Sequence, residues 1–256
     1  MSIPPVAAQD MALIRRDKYG NSARADLSKD EARLACGEPL SYVIGWVPFL
    51  NLKIRLDSHP LIPRPETEWW SEKLINYLEE RFGSGETDKA FRLLDLCAGS
   101  GAIGLSILSY FPNAYVSFGE LSHEHTDLIR MNIAENNLDV SRAVICAGDL
   151  FSPFTNERFD IIATNPPYIP DARELPQAVH AFEPPEALFS GPKGLDLIQR
   201  IILDVSHHLL SSGELWMECD ISNIHEAQAL LLASRADATI HEDLYGRPRL
   251  LVAHFT

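Results

Sequence analysis

Hydrophobic and polar positions follow two rhythms along this chain, and the change between them divides it. Residues 1 to about 40 predict a short helical lead-in. Within it, "SKDEARLACG" places Ser28 and Glu31 at capping-box spacing, with Gly37 as the stop. Residues 41–65 change the period. Leu52, Ile54 and Leu56 alternate with Lys53, Arg55 and Asp57, which predicts a half-exposed strand in a linking hairpin. From residue 66 to 256 a larger domain is expected. It opens with "ETEWWSEKLINYLEERFG", amphipathic at helical spacing and closed by Gly83.

After "SGETDK" come short, continuously apolar runs: "FRLLDLC", "AYVSFGEL", "AVICAGDL", "FDIIATN" and "GELWMECD". Helical stretches such as "GAIGLSILSYF", "SHEHTDLIRMNIAENN" and "GLDLIQRIILDVSHHLL" separate several of them. Strands without polar alternation are buried on both faces, which requires a parallel sheet covered by helices. The end of the chain breaks this pattern. Two strand-like runs flank "LYGRPR" with no helix between them, so an antiparallel terminal hairpin is expected. The prediction is an α/β fold with a mostly parallel, Rossmann-like seven-stranded sheet. That is the pattern of class I S-adenosylmethionine-dependent methyltransferases.

Composition narrows the function classes. The chain has 256 residues, a formal net charge of −14 and a pI of about 5.0. Proteins that coat nucleic acid carry a basic face, so no stable nucleic-acid binding is expected. Cys36, Cys97, Cys146 and Cys219 form no CxxC pair and have no histidine at zinc-finger spacing, so neither a metal nor a disulfide framework is expected. No apolar run reaches the roughly 18 to 20 residues of a membrane span. The opening "MSIPPVAAQDMALIRRDKYG" lacks a signal-peptide core, and Asp10 and Asp17 interrupt its positive charge. A soluble, cytoplasmic monomer is expected, with an organellar destination left open.

Candidate chemistry sits at strand ends. "LLDLCAGSGAIG" carries Asp95 on the strand, then Gly99, Gly101 and Gly104. Glycines there let backbone amides approach a ligand beside a helix N-terminus. Asp95 would repel a pyrophosphate but suits a ligand with a cationic amino group. S-adenosylmethionine has that group and no phosphate. The next strand ends in Glu120, where an acidic side chain can take ribose hydroxyls. After the third, "GDLF" offers Asp149 to an adenine amino group and Leu150 as an apolar wall. Three such residues in register point to S-adenosylmethionine rather than NAD.

The fourth strand ends in "ATNPPYIP". Two prolines remove two backbone donors and stiffen the loop. Amide and exocyclic nitrogens are poor nucleophiles because their lone pairs are delocalised. Two acceptors, the Asn165 side-chain carbonyl and the Pro166 carbonyl, can hold such an NH₂ with its lone pair aimed at a methyl carbon. The stiffness of Pro166 and Pro167 preorganises them, and the Tyr168 ring offers a stacking face. The reading is methylation of a planar nitrogen.

"GEPLSYVIG", "LIPRPETE", "DLCAGSGAIG", "NPPYI", "EPPEALFSGPKGLD" and "DLYGRPR" follow one another as in HemK/PrmC-type enzymes, and from about Gly37 to the C-terminus the chain resembles them. These are protein-(glutamine) methyltransferases that modify the GGQ motif of class 1 peptide-chain release factors. The resemblance implies that Cys97, Ala98, Gly99, Ser100 and Gly101 touch the methionine part of the cofactor. It also implies that Glu120 with Leu121 meets the ribose, Leu150 lies against adenine, and Asn165 to Tyr168 hold the substrate glutamine, Asn165 meeting the cofactor as well. Arg64, Pro65, Glu66 and Thr67 would close over the site, the alternative for Arg64 being a structural salt bridge. The long loop "PDARELPQAVHAFEPPEALFSGPKG", without helical period, would form a wall for the peptide. Cys97 stands where glycine is frequent, Glu120 where aspartate is usual, and "WMECD" departs from the usual Glu-apolar-Gly. The lead-in is shorter than the family's N-terminal domain. The alternative substrate is an amino group of adenine or guanine in RNA or DNA.

Overall fold

Helical spacing in the lead-in produces three short helices, α1 (Ala8–Asp17), α2 (Ser28–Ala35) and α3 (Leu40–Ile44). The computed structural model describes residues 7–255, so the first six residues of the opening segment lie outside the described residues. The capping box at Ser28 does not form. Ser28 is already helical, and its backbone N–H donates to the Asp26 carboxylate at 3.0 Å. Asp26, two residues upstream, does the capping because its short carboxylate reaches forward to the Ser28 amide. Gly37 does stop the helix, at φ +88°. Strands β1 (Trp46–Phe49) and β2 (Leu52–Arg55) pair antiparallel as the expected hairpin, and α4 (Pro65–Phe82) follows.

The main sheet begins with β3 (Phe91–Leu96), α5 (Ala102–Tyr110), β4 (Ala114–Glu120), α6 (His123–Glu135), β5 (Ala143–Ala147) and β6 (Phe159–Thr164). It continues with α7 (Gln177–Phe182), α8 (Asp196–Asp204), β7 (Leu209–Glu218), α9 (Ile224–Ala233), β8 (Ala236–Glu242) and β9 (Pro248–Phe255). Strand order is β5-β4-β3-β6-β7-β9-β8, parallel from β5 to β7, with β9 antiparallel to both neighbours. Two helices exceed the sequence reading. The short α7 interrupts the long loop after β6, and α9 buries Ile224, Ala227 and Leu231 at helical spacing.

Adjacent residues in one strand enter opposite cores, which is why the strands read as unbroken apolar runs. Leu93 and Ile161 pack with α4, α5 and the hairpin residues Phe49, Leu52 and Ile54. Leu94 and Ile162 pack with α8 and α9 on the other face. The hairpin is bound to α6 by polar contacts as well. Asn136 and Asn132 accept the Lys53 and Arg55 amides at 2.9 and 2.8 Å. Each amide thereby satisfies an edge-strand donor that the hairpin's own ladder leaves open.

Because β3 to β6 run parallel, their C-terminal ends share one edge. At that edge the chain turns from β3 toward β4 and β5 on one side and toward β6 and β7 on the other. The crevice at such a switch point is where open α/β sheets bind ligands. Among the described residues no helix is long and apolar enough to cross a membrane.

Candidate active site

The β3–α5 loop is shaped by residues with left-handed backbone, Cys97 (φ +59°), Gly99 (φ +54°) and Gly101 (φ +81°). Cys97 is the costly one, since a side chain at positive φ is strained by on the order of 1 kcal/mol. Burial, with Glu120 nearby, pushes its thiol up to about 12, so it is an uncharged lining group. Asp95 anchors the loop from beneath. Its Oδ2 accepts the Gly104 amide at 2.8 Å in the first turn of α5, and its Oδ1 is buried without a partner. Burial holds this carboxyl well above the usual range, although the Gly104 bond opposes it. Asp95 is not among the residues that line the cavity, and its Oδ2 points under the loop to α5.

Beside the loop is a cavity of about 290 Å³, lined in part by Cys97, Ala98, Gly99, Ser100, Glu120, Leu121, Asp149, Leu150, Asn165 and Pro167. The ends of β3, β4, β5 and β6 thus contribute to one space. Gly101 lies behind the lining, where a Cβ would meet Ile129 at 3.1 Å. Glu120 is set by two backbone donors, Gly99 N–H to Oε2 at 2.7 Å and Ser122 N–H to Oε1 at 2.9 Å. A carboxylate has about four lone-pair sites, so each oxygen keeps capacity for one hydroxyl of a vicinal diol. Asp149 pairs with Arg200 at 2.6 Å on the cavity rim. Glu120 as acceptor for a diol, Leu150 as an apolar wall, Asp149 as acceptor for an exocyclic amine and a close-approach backbone together fit S-adenosylmethionine.

The end of β6 supplies the reacting corner. The Asn165 Nδ2 donates to Thr67 Oγ1 at 3.2 Å, and among the described residues its Oδ1 meets no hydrogen-bond donor. Among the described residues no donor reaches the Pro166 carbonyl. The Pro166 and Tyr168 side chains are not part of the lining. The Tyr168 hydroxyl donates to Glu218 at 2.9 Å, and its backbone carbonyl accepts from Asn223 at 2.9 Å. The ring is thereby fixed from both ends, and burial holds its hydroxyl well above the ordinary range.

The segment expected to close over the site divides in role. Thr67 lines the cavity, from the first turn of α4. Arg64 instead makes the structural ion pair, donating to buried Glu183 at 2.6 Å, while the Ile62 amide donates to the other Glu183 oxygen. Glu66 turns away to Arg247 at 2.8 Å, and Pro65 is exposed as the first residue of α4. Arg64 is the extended N-cap of α4, outside the helix. Successive residues of the helix itself face different ways, and of Pro65, Glu66 and Thr67 only Thr67 looks inward. The long loop after β6 does reach the cavity, through Pro184, Glu186 and Ala187.

Sequence reasoning missed Glu218. This residue of β7, 1% exposed, accepts from Thr67 at 2.7 Å and Trp70 at 2.8 Å as well as Tyr168. The signal was present, since a lone acid inside the apolar run "LWMEC" must have partners. Ser122 and His125 also line the cavity, and His125 Nδ1 meets Ser58 of the hairpin region at 2.8 Å. Among the described residues no three His, Cys, Asp or Glu side chains gather as a metal site.

Residues 71–187 match the family model described as Methyltransferase small domain. The Release factor glutamine methyltransferase of Lactococcus lactis is 30% identical over 93% of this chain and 85% of its own. That of Rhodopirellula baltica is 32% identical over 84% of this chain and 73% of its own. The chain belongs to the release factor glutamine methyltransferase family. Solved structures show the same fold at lower identity. A methyltransferase from Pyrococcus furiosus superposes with a TM-score of 0.57 at 15% identity, covering 89% of this chain and 98% of that one. The T. thermophilus 16S rRNA N2 G1207 methyltransferase gives 0.55 at 19% identity, over 82% and 50% of the two chains. This member of the release factor glutamine methyltransferase family shares the fold of those neighbours, and its cavity lies at the strand ends of that sheet.

Proposed function

We propose that this protein transfers a methyl group from S-adenosylmethionine to the side-chain amide nitrogen of a glutamine in a peptide-chain release factor. The proposed target is the GGQ loop of a class 1 factor, met by a single copy of the enzyme in the cytoplasm. One observation carries the reading. Asn165, whose Nδ2 is taken by Thr67, lines the same cavity as the ribose-type acceptor Glu120. When bound, the cofactor supplies an electrophilic methyl group on a sulfonium centre and leaves as S-adenosylhomocysteine.

The chain's own residues do the positioning. Glu120 and the Cys97–Gly101 loop hold the cofactor beside Asn165. The Asn165 Oδ1 and the Pro166 carbonyl accept the two N–H groups of the substrate amide, orienting its nitrogen lone pair. Proline rigidity means that neither acceptor has to be ordered during reaction. Pro184, Glu186 and Ala187 wall the opening on the substrate side. The net negative charge of −14 agrees with a protein substrate rather than a polyanion. Incubation with labelled S-adenosylmethionine and release factor carrying Gln or Ala in GGQ tests the reading. Label is expected on the Gln form alone. Label on the Ala form, or only on RNA, would overturn it.

A further inference from the structure

Three donors converge on Glu218, a side chain that the transfer reaction does not itself require. Trp70 Nε1–H can only donate, and it takes Oε2 at 2.8 Å. Thr67 Oγ1 lies 2.7 Å from that same oxygen. Trp70 holds Oε2 as an acceptor, so the single Thr67 hydroxyl proton goes to Glu218. Toward Asn165, 3.2 Å away, Thr67 then has only a lone pair to offer. The Asn165 amide must present its NH₂ to Thr67, and its carbonyl oxygen must face the cavity.

We infer that Glu218, held by Trp70, is a positioning residue that works through Thr67 to fix which end of the Asn165 amide meets the substrate. The inference rests on the reading of Asn165 as the acceptor for a substrate NH₂. Without the relay, the Asn165 amide could rotate by half a turn. Its NH₂ would then confront the substrate NH₂, donor against donor, while a carboxylate at the same place would be welcomed. The relay therefore sets both rate and discrimination between glutamine and glutamate. It also assigns Thr67 to the support of the site rather than to the grip on the peptide.

The test uses the full-length enzyme and release factor bearing Gln or Glu at the target position, with active sites titrated by S-adenosylhomocysteine. Thr67→Val keeps the side-chain shape and removes the hydroxyl. It should lower kcat by at least about tenfold while leaving the KM for S-adenosylmethionine within about twofold. The Glu form of the factor should bind this variant about fivefold or more tightly than it binds the natural enzyme. That gain is one a merely structural role would not produce. Thr67→Ser should recover most of the lost rate. Glu218→Gln should lose less than Thr67→Val, because Trp70 forces the glutamine carbonyl into the Oε2 position and so preserves the relay. A Thr67→Val enzyme with natural kcat, or with unchanged preference for Gln over Glu, would overturn the inference, as would failure of Thr67→Ser to recover. If the natural enzyme does not methylate the Gln form at all, the proposed function fails instead, which separates the two.

Discussion

Replacing Asn165 with alanine separates the chemistry of one amide from the stability of the fold. The side chain is half-buried at the end of β6, and its one hydrogen bond among the described residues is the 3.2 Å contact with Thr67. A neutral bond of that length contributes about 0.5 to 1 kcal/mol. In a chain of this size the melting temperature should fall by no more than about 4 °C. Cofactor affinity should hold as well. The contacts that set Glu120, with Gly99 and Ser122, do not involve Asn165, so the Kd for S-adenosylhomocysteine should move by less than about threefold. Transfer should respond differently. Removing one preorganised group that acts at the reacting centre costs about 2.7 to 4 kcal/mol, or roughly a hundredfold to a thousandfold in rate. The assay is single-turnover transfer of labelled methyl to release factor at saturating cofactor, with affinity from calorimetry and stability from thermal melting. Transfer within about tenfold of the natural rate, or a loss traced entirely to weaker cofactor binding, would refute the acceptor role.

Glu120→Ala should weaken S-adenosylmethionine binding by about tenfold or more, since a hydrogen bond to a charged group is worth about 1.5 to 3 kcal/mol; equal calorimetric Kd values would remove Glu120 from the cofactor site. Gly104→Ala would place a Cβ 2.4 Å from Phe118 Cε1 and 2.9 Å from Val116 Cγ1. It should lower the unfolding free energy in urea by about 1 to 3 kcal/mol through overpacking between α5 and β4; an unshifted midpoint would mean that α5 can slide. At acid pH, Asp220 gives a further check. Burial alone would raise its carboxyl, yet hydrogen bonds from Arg173 and Ser222 outweigh burial and hold it at about 2. Its folded value lies below the roughly 3.9 of an unfolded aspartate, so its stabilisation is complete above that pH and is lost as pH falls through the folded value. With the Arg173 side chain 34% exposed, screening leaves about 1 to 2 kcal/mol. Arg173→Ala should raise the pH of half-unfolding in acid; a midpoint equal to that of the natural protein would show the pair to be energetically silent.

The elements that depend on local pattern were legible in the chain. Unbroken apolar runs such as "FRLLDL" and "FDIIAT" require burial on both faces, and they form β3 and β6 at the centre of the sheet. Period-two alternation around Ile54 forms β2, and the helixless spacing around "LYGRPR" forms the antiparallel β8–β9 pair. Residues at successive strand ends were legible too. Parallel strands bring their C-terminal ends to one edge whatever the loops do, so Cys97, Glu120, Asp149 and Asn165 meet at one cavity.

What the chain did not disclose were the partners chosen between distant segments. Arg64 finds Glu183 across 119 residues, and Glu66 finds Arg247 across 181. Nothing in the spacing of "RPETE" says which of its side chains turns inward, because that depends on how α4 is rotated against β6. Asp95 looked like a ligand group and became the anchor of α5, since a strand-end carboxylate can be taken by the nearest free helix amide. The run around Glu218 showed that a lone acid there needs partners, but not which ones. Its three donors come from α4 and from the loop after β6, and only the packing of those elements around β7 brings them within reach. Sequence by itself determined which chemistry could gather at the sheet edge, because backbone periodicity is local. Tertiary structure decided the orientation of the amide that would perform it, because hydrogen-bond direction is settled between segments that meet only on folding.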